Sequence, residues 1–158
     1  ASSPVPSSLD AAVNAMVSPA YGLDRFWNAC CWNAAAEELF TGWLDRGGRP
    51  NLLRFIFLDP AAKTLVPDWE TRALRLLAEF RSDFGRGLND PDMTGMVDDL
   101  AAESVLFARG WQRQTVLARE GGLRTFRNAD GALRRYEQHT LTPSDRPDHK
   151  LVLLVPLA

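Results

Sequence analysis

The stretch AYGLDRFWNACCWN, residues 20–33, decides the fold, because it has the composition of two short β-strands. We interpret Asp24-Arg25 as the turn between these strands. Asn33 then opens AAAEELFTGWL, residues 34–44, an alanine-rich helix. The inward side of this helix would carry Leu39, Phe40 and Trp43.

The middle of the chain predicts a block of helices. Asn51 is a candidate N-cap for LLRFIFL, and Asp59-Pro60 and Asp90-Pro91 each place proline at a first helical position. Ser104 is a candidate N-cap for a last helix. The longest helix is expected over residues 68–84, ending at Gly85 and Gly87, and its apolar residues recur at three- and four-residue steps: Trp69, Ala73, Leu76, Leu77, Phe80 and Phe84.

The final third changes to strand composition. Residues 116–143 predict strands joined at Gly121-Gly122 and by a turn over residues 128–131. The apolar run at residues 151–157 is typical of a central strand. The chain is therefore predicted to be α+β, with about five strands, helices mainly on one face of the sheet, and the helical block inserted between strands 2 and 3.

We interpret residues 1–8 as a linker, so the predicted domain covers residues 9–158. Ser8 is a plausible N-cap for a short helix bearing Leu9, Val13, Met16 and Val17. The first residues lack the basic region and apolar run of a signal peptide. Because no initiator methionine is present, we expect a piece of a longer protein.

Composition indicates one soluble globular domain. The chain has 158 residues, of which 46% are hydrophobic and 24% charged. A net charge of −2 favours neither nucleic acid nor an acidic membrane as partner. The only cysteines, Cys30 and Cys31, are adjacent and are expected to be free thiols in a reducing cytoplasm. Their side chains should alternate along a strand, so that one points inward and the other outward. The buried cysteine would then serve either as a small hydrophobic side chain or as a redox sensor.

Signatures of catalysis are missing, so we expect a protein that is not an enzyme. The sequence has no GxSxG, no glycine-rich phosphate loop, no HExxH and no CxxC. Of the two histidines, His149 is expected to be exposed, while His139 lies on a strand and faces either the interior or the surface. No metal site and no cofactor are expected. An unrecognised hydrolase would need His139 clustered with a carboxylate and a cysteine or serine.

Four segments resemble the MmyB-like ligand-binding domain, which follows an Xre-type helix-turn-helix domain in bacterial regulators. These segments are PAYGLDRFWNACCWNAAAEELF (19–40), NLLRFIFLDPAAKTLVPDWE (51–70), SVLFARGW (104–111) and KLVLLVPLA (150–158). The resemblance implies a PAS-like fold, a fatty-acid-like ligand between sheet and helices, and DNA binding only through a separate amino-terminal domain. Departures occur at Gln114 and Thr115, where the family usually has a histidine, and at Asn128-Ala129.

The aromatic and methionine content of the helical block suits either core packing or an apolar pocket. The pocket candidates are Cys30, Trp32, Phe55, Trp69, Leu76, Phe80, Met96, Leu100, Phe107, Trp111 and Tyr136. Candidates for the polar head of a ligand are His139, Arg124 and Arg113. Burying about a dozen methylenes would contribute roughly 10 kcal/mol, enough for micromolar binding after an association cost of about 4 kcal/mol or more.

Two functions remain in competition. The first is sensing of a small apolar, fatty-acid-like effector by a domain that is expected to form a homodimer. The alternative is a PAS-like dimerisation module that binds no ligand, with a symmetric interface on Val13, Met16 and Val17 or on an open sheet face.

Overall fold

The structure, a computed structural model, describes residues 7–48, 50–84, 90–113 and 121–157. The elements in chain order are α1 (Ser7–Asn14), β1 (Ala20–Leu23), β2 (Ala29–Trp32), α2 (Ala34–Leu39), a 3-10 turn (Leu44–Arg46), α3 (Leu52–Leu58), α4 (Pro60–Leu65), α5 (Trp69–Phe84), α6 (Pro91–Glu103), α7 (Val105–Arg113), β3 (Leu123–Arg127), β4 (Leu133–Leu141) and β5 (Lys150–Pro156). The α+β class, with helices between the second and third strands, is confirmed.

The five strands form one antiparallel sheet in the order β2-β1-β5-β4-β3. β5 lies at the centre, as its apolar sequence predicts, and pairs with β1 on one side and β4 on the other. β2 and β3 form the two edges. This arrangement is PAS-like and brings the last strand of the chain beside the first.

The helical block covers one face of the sheet, which we call the inner face. Inward side chains of the strands, such as Leu23 and Leu154, pack with the helices in one large core cluster. The predicted stripe of α5 is confirmed, because Ala73, Leu77 and Phe80 are buried.

The opposite face, here the outer face, is covered in part by α1. Leu9 and Val13 of α1 are buried against Ala20 and Leu151 of the sheet. Val13 is therefore not an exposed dimer residue, as the alternative function would need. The helix ends at Asn14, so Val17 lies beyond it and is 95% exposed.

Asn33 holds α1, β1 and α2 together. Its side-chain Nδ2 donates to the carbonyl oxygens of Val13 (3.2 Å), Met16 (3.1 Å) and Ser18 (2.8 Å). Its Oδ1 accepts from the backbone N–H of Ala20 (3.2 Å) and, as the predicted N-cap, from Ala36 (2.9 Å). One buried amide thus makes hydrogen bonds to five backbone groups.

Four other predicted helix starts are also confirmed, whereas the prediction of Ser8 as an N-cap is wrong because Ser8 lies inside α1. Asn51 caps α3 through Arg54 N–H, and Ser104 Oγ accepts from Phe107 N–H at 3.1 Å. Asp59 and Asp90 cap α4 and α6, each followed by proline. These signals are local in the sequence, which is why the boundaries agree.

Two boundaries differ from prediction. The helix after Asn33 ends at Leu39, because Phe40 leaves helical geometry (φ −94°, ψ 59°), and a separate 3-10 turn follows after Gly42, which has a positive φ of 94°. α1 begins at Ser7, inside the predicted linker. The predicted helix stop at Gly85 and Gly87, the strand residues 116–120, and most of the linker lie outside the described residues.

Candidate functional site

Ten of the eleven pocket candidates lie in or against the large core cluster. Its buried members among them are Phe55, Phe80, Leu100, Phe107 and Tyr136, and those packed against it are Trp32, Trp69, Leu76, Met96 and Trp111. Cys30 belongs instead to the small cluster under α1. The structure therefore brings together ten of the candidates and separates Cys30 from them.

Several of these aromatic side chains pack on one another. The Phe107 ring stacks on Trp111 with centroids 5.8 Å apart and meets the edge of Phe57 at 5.2 Å. Trp111 also contacts Phe80 and Phe84. These rings between α3, α5 and α7 serve as close-packed core, one of the two roles that the sequence left open.

Four strands of the inner face contribute one side chain each to a row across the sheet. Strand register places Trp32, Tyr21, Val152 and Thr140 side by side across β2, β1, β5 and β4. Tyr21 and Val152 are buried, whereas Trp32 is half-buried and Thr140 is exposed. At this end of the inner face, buried side chains therefore lie next to side chains that solvent can reach.

Arg124 is the polar-head candidate that faces the interior. It lies on β3 opposite Tyr136 and is only 8% exposed. Its Nε donates to Oε1 of Gln138 at 3.1 Å, and its Nη1 donates to the carbonyl oxygens of Gly121 (3.0 Å) and Leu123 (2.9 Å). These contacts hold a guanidinium in a fixed position on the inner face, a geometry suited to an anionic head group.

Tyr21 is an inner-face residue that the sequence analysis did not select. Burial raises the pKa of its hydroxyl, the negative charge of Glu79 raises this pKa further, and the positive charge of Arg124 lowers it. The hydroxyl therefore stays protonated. Alternation within β1, which places Tyr21 on the same face as Leu23, was a signal that could have identified it. We call Trp32, Tyr21, Arg124, Gln138 and Thr140 the inner-face site.

Tyr136 borders this site at the β3–β4 end. It is 8% exposed, and its ring lies 5.9 Å from that of Phe126. Burial raises the pKa of its hydroxyl, Arg134 lowers this pKa and Glu38 raises it. Both tyrosines are thus neutral hydrogen-bonding groups over a wide pH range.

Arg113 lies at a different place, the cleft between α5 and α7. This cleft has a volume of about 220 Å³, and its lining includes Leu74, Leu77 and Leu106 with Arg109 and Arg113. Arg113 is exposed there. The α5–α7 cleft is therefore a second apolar surface with arginines beside it.

The two histidines occupy positions unlike those of a ligand-binding pair. His139 of β4 is exposed on the outer face, opposite Leu153. The expectation that His149 is exposed is wrong: it is 4% exposed, and its Nδ1 lies 2.8 Å from Oδ1 of Asp148. This hydrogen bond lowers the pKa of the Asp148 carboxyl. The loop before β5 folds His149 inward, which the polar sequence around it did not indicate.

The expected alternation of Cys30 and Cys31 is also wrong, because both are buried in the cluster under α1. Gly22 pairs with Cys31 and Leu23 with Ala29, so Cys30 is an extra residue in β2. Such a β-bulge breaks the period of two and turns neighbouring side chains to one face. Both cysteines are free thiols.

An ion pair lies at the start of β5. Nζ of Lys150 is 2.5 Å from Oδ2 of Asp83, which also accepts from Nε1 of Trp27 at 2.9 Å. Trp27 has a positive φ of 66°, a strained conformation for a tryptophan. The Asp83 carboxylate of α5 thus binds both the Trp27 indole and the Lys150 ammonium, and its bond to Trp27 fixes the β1–β2 turn to α5.

Within the described ranges, no three or more histidine, cysteine or acidic side chains come together as a metal-binding group. Nor does any helix in those ranges have the length and apolar character needed to cross a membrane. Comparison with known families gives one result that bears on function: residues 5–158 match the model of the MmyB-like transcription regulator ligand binding domain. No curated protein sequence matches the chain.

Proposed function

We propose, because this chain belongs to the family of MmyB-like transcription regulator ligand-binding domains, that it senses an amphiphilic effector with an acidic head and an apolar chain. Its role is binding and not catalysis. DNA contact would belong to a separate domain of the regulator. The free thiols suit a reducing compartment, and we place the protein in the cytoplasm.

The observation that carries the choice of ligand is the buried guanidinium of Arg124 on the inner face, which also carries the buried and protonated hydroxyl of Tyr21. A carboxylate there would accept charge-assisted hydrogen bonds in a setting largely removed from water, where such bonds are strong. The ligand's apolar chain would lie along Trp32 and Leu76, which are half-buried and pack against the core. A fatty acid has both parts.

The test compares dodecanoic acid with dodecan-1-ol, which has the same chain and no charge. We expect the acid to raise the melting temperature of the purified chain more than the alcohol does. Arg124→Gln should remove this preference and weaken acid binding by about 10- to 100-fold, the value of a charged hydrogen bond. Tyr21→Phe, which keeps the ring, should weaken it less.

Arg113→Gln is the matched control, because it removes an arginine from the α5–α7 cleft and leaves the inner face intact. This variant should bind the acid like the native chain. If Arg113→Gln abolishes binding and Arg124→Gln does not, the ligand occupies the cleft. If no acid or alcohol in a series of chain lengths shifts the melting temperature, the sensor proposal fails.

A second candidate function is homodimerisation through the outer face. On the part not covered by α1, β3, β4 and β5 expose Leu123 (51%), Leu133 (56%), Leu141 (52%) and Val155 (36%). Such a face suits a symmetric contact. Sedimentation should then show a dimer that Leu133→Glu converts to a monomer, whereas an unchanged monomer at high concentration argues against this function.

A further inference from the structure

The two thiols under α1 form a pair that the ligand site does not use. The bulge in β2 turns Cys30 and Cys31 to the outer face, and both side chains are buried in the small cluster under α1. Leu9 and Val13 of α1 lie in the same cluster. The inner-face site is on the opposite side of the sheet, so the two sites are separate.

The Cys31 thiol is held in the protonated form. The hydrogen bond with Cys30 raises the pKa of Cys31, and burial and the charge of Asp10 raise it further. A thiol of this kind reacts slowly as a nucleophile, since the thiolate is the attacking species. Rapid alkylation or oxidation of Cys31 is therefore not expected.

Geometry also disfavours a direct disulfide. Neighbouring Cα atoms are about 3.8 Å apart across a trans peptide, whereas disulfides usually need roughly 4.4–6.8 Å. An atom placed between the two sulfurs would relieve this constraint. A soft, three-coordinate element that prefers sulfur ligands has the right character.

We propose that Cys30 and Cys31 form a dithiol site for a trivalent thiophilic metalloid, closed by α1. Phenylarsine oxide is a suitable probe. Two S–As bonds form, the arsenic–oxygen bond breaks, and the two thiol protons leave with that oxygen as water. No oxidant or reductant is needed, because arsenic stays trivalent and sulfur stays divalent.

Binding should disturb α1. Sγ of Cys31 lies 2.7 Å, and Cδ2 of Leu9 2.9 Å, from where a Cβ on Gly22 would stand, so this layer has little spare room. Asn33, two residues after Cys31, holds the carbonyl oxygens of Val13 and Met16 at the end of α1. An arsenic atom between the sulfurs would therefore push on α1 and on its anchor.

The experiment titrates the folded chain with phenylarsine oxide. We expect one arsenic per chain by mass spectrometry, loss of both thiols to a thiol reagent, and faster hydrogen exchange in α1 with the sheet still protected. Cys30→Ser and Cys31→Ser should each bind about 100-fold more weakly, because the second bond is no longer intramolecular. Leu9→Ala should accelerate the reaction by loosening α1.

Three results would overturn the proposal. The first is an adduct that consumes one thiol, the second is single-cysteine variants that bind as tightly as the native chain, and the third is reaction only after global unfolding. An unchanged rate in Leu9→Ala would contradict closure by α1. The chain has no other cysteine, so the double variant Cys30→Ser, Cys31→Ser is a complete blank.

Discussion

Nε of Arg124 donates a hydrogen bond to Oε1 of Gln138 at 3.1 Å, which joins an edge strand to its neighbour on the inner face of the sheet. This bond fixes the guanidinium on the inner face, where we propose that the acid group of a ligand binds. Nε2 of Gln138 in turn donates to Oγ1 of Thr140 at 3.1 Å. The position of Arg124 thus depends on a short polar row along β4.

Replacing Gln138 by leucine should lower the free energy of unfolding by about 1–3 kcal/mol, because a buried charged donor loses its acceptor. Urea denaturation measures this change. Gln112→Leu, on the exposed side of α7, is the control and should alter stability by less than about 0.5 kcal/mol. Equal midpoints for the two variants would show that the bond contributes nothing.

Asn33→Ala should be among the most damaging polar substitutions. It leaves backbone groups of α1, β1 and α2 without partners, at about 1–3 kcal/mol for each group that stays buried. Ser104→Ala removes one capping bond and should reduce stability by about 1 kcal/mol. Thermal unfolding of both variants ranks them, and a smaller loss for Asn33→Ala would contradict its anchoring role.

Two glycine-to-alanine changes should have opposite signs. At Gly22 a Cβ would stand 2.7 Å from Sγ of Cys31, so Gly22→Ala should destabilise the chain by about 1–3 kcal/mol. Gly95 lies within α6 with open space around it, so Gly95→Ala should stabilise by roughly 0.5–1 kcal/mol. Chemical denaturation tests both, and a stabilising Gly22→Ala would refute the tight contact.

The chain has only two tyrosines, so Tyr136→Phe leaves Tyr21 as the single phenol. Its folded pKa is raised, so the unfolded chain ionises first and stability is lost as pH rises above about 10. The absorbance of this variant should show no phenolate near pH 10 while the chain is folded. In urea the same residue should titrate at about 10, and a normal titration in the folded chain would disprove its burial.

Local signals in the sequence predicted much of this fold. Asn33, Asn51 and Ser104 each cap a helix by accepting from the backbone N–H three residues later, and such short-range bonds can be predicted from sequence. The positions of the candidate ligand-binding residues were harder to predict from sequence. Tyr136 and His139 were both assigned to the pocket, although residues three apart on a strand face opposite sides; His139 lies outside.

Features that depend on distant partners were not predictable. The bulge at Cys30 exists because Gly22 and Leu23 pair with residues on either side of it, and no spacing in β2 announces this. The burial of His149 depends on how the loop before β5 folds back. Arg124 could not be separated from Arg113 before the sheet and the helices were placed.

The most direct test of the account is a crystal structure of the chain with bound dodecanoic acid. The account predicts the carboxylate on the inner face, with an oxygen about 3 Å from a guanidinium nitrogen of Arg124, and the alkyl chain along Trp32 and Leu76. A carboxylate beside Arg113 in the α5–α7 cleft, or a ligand on the outer face, would contradict it.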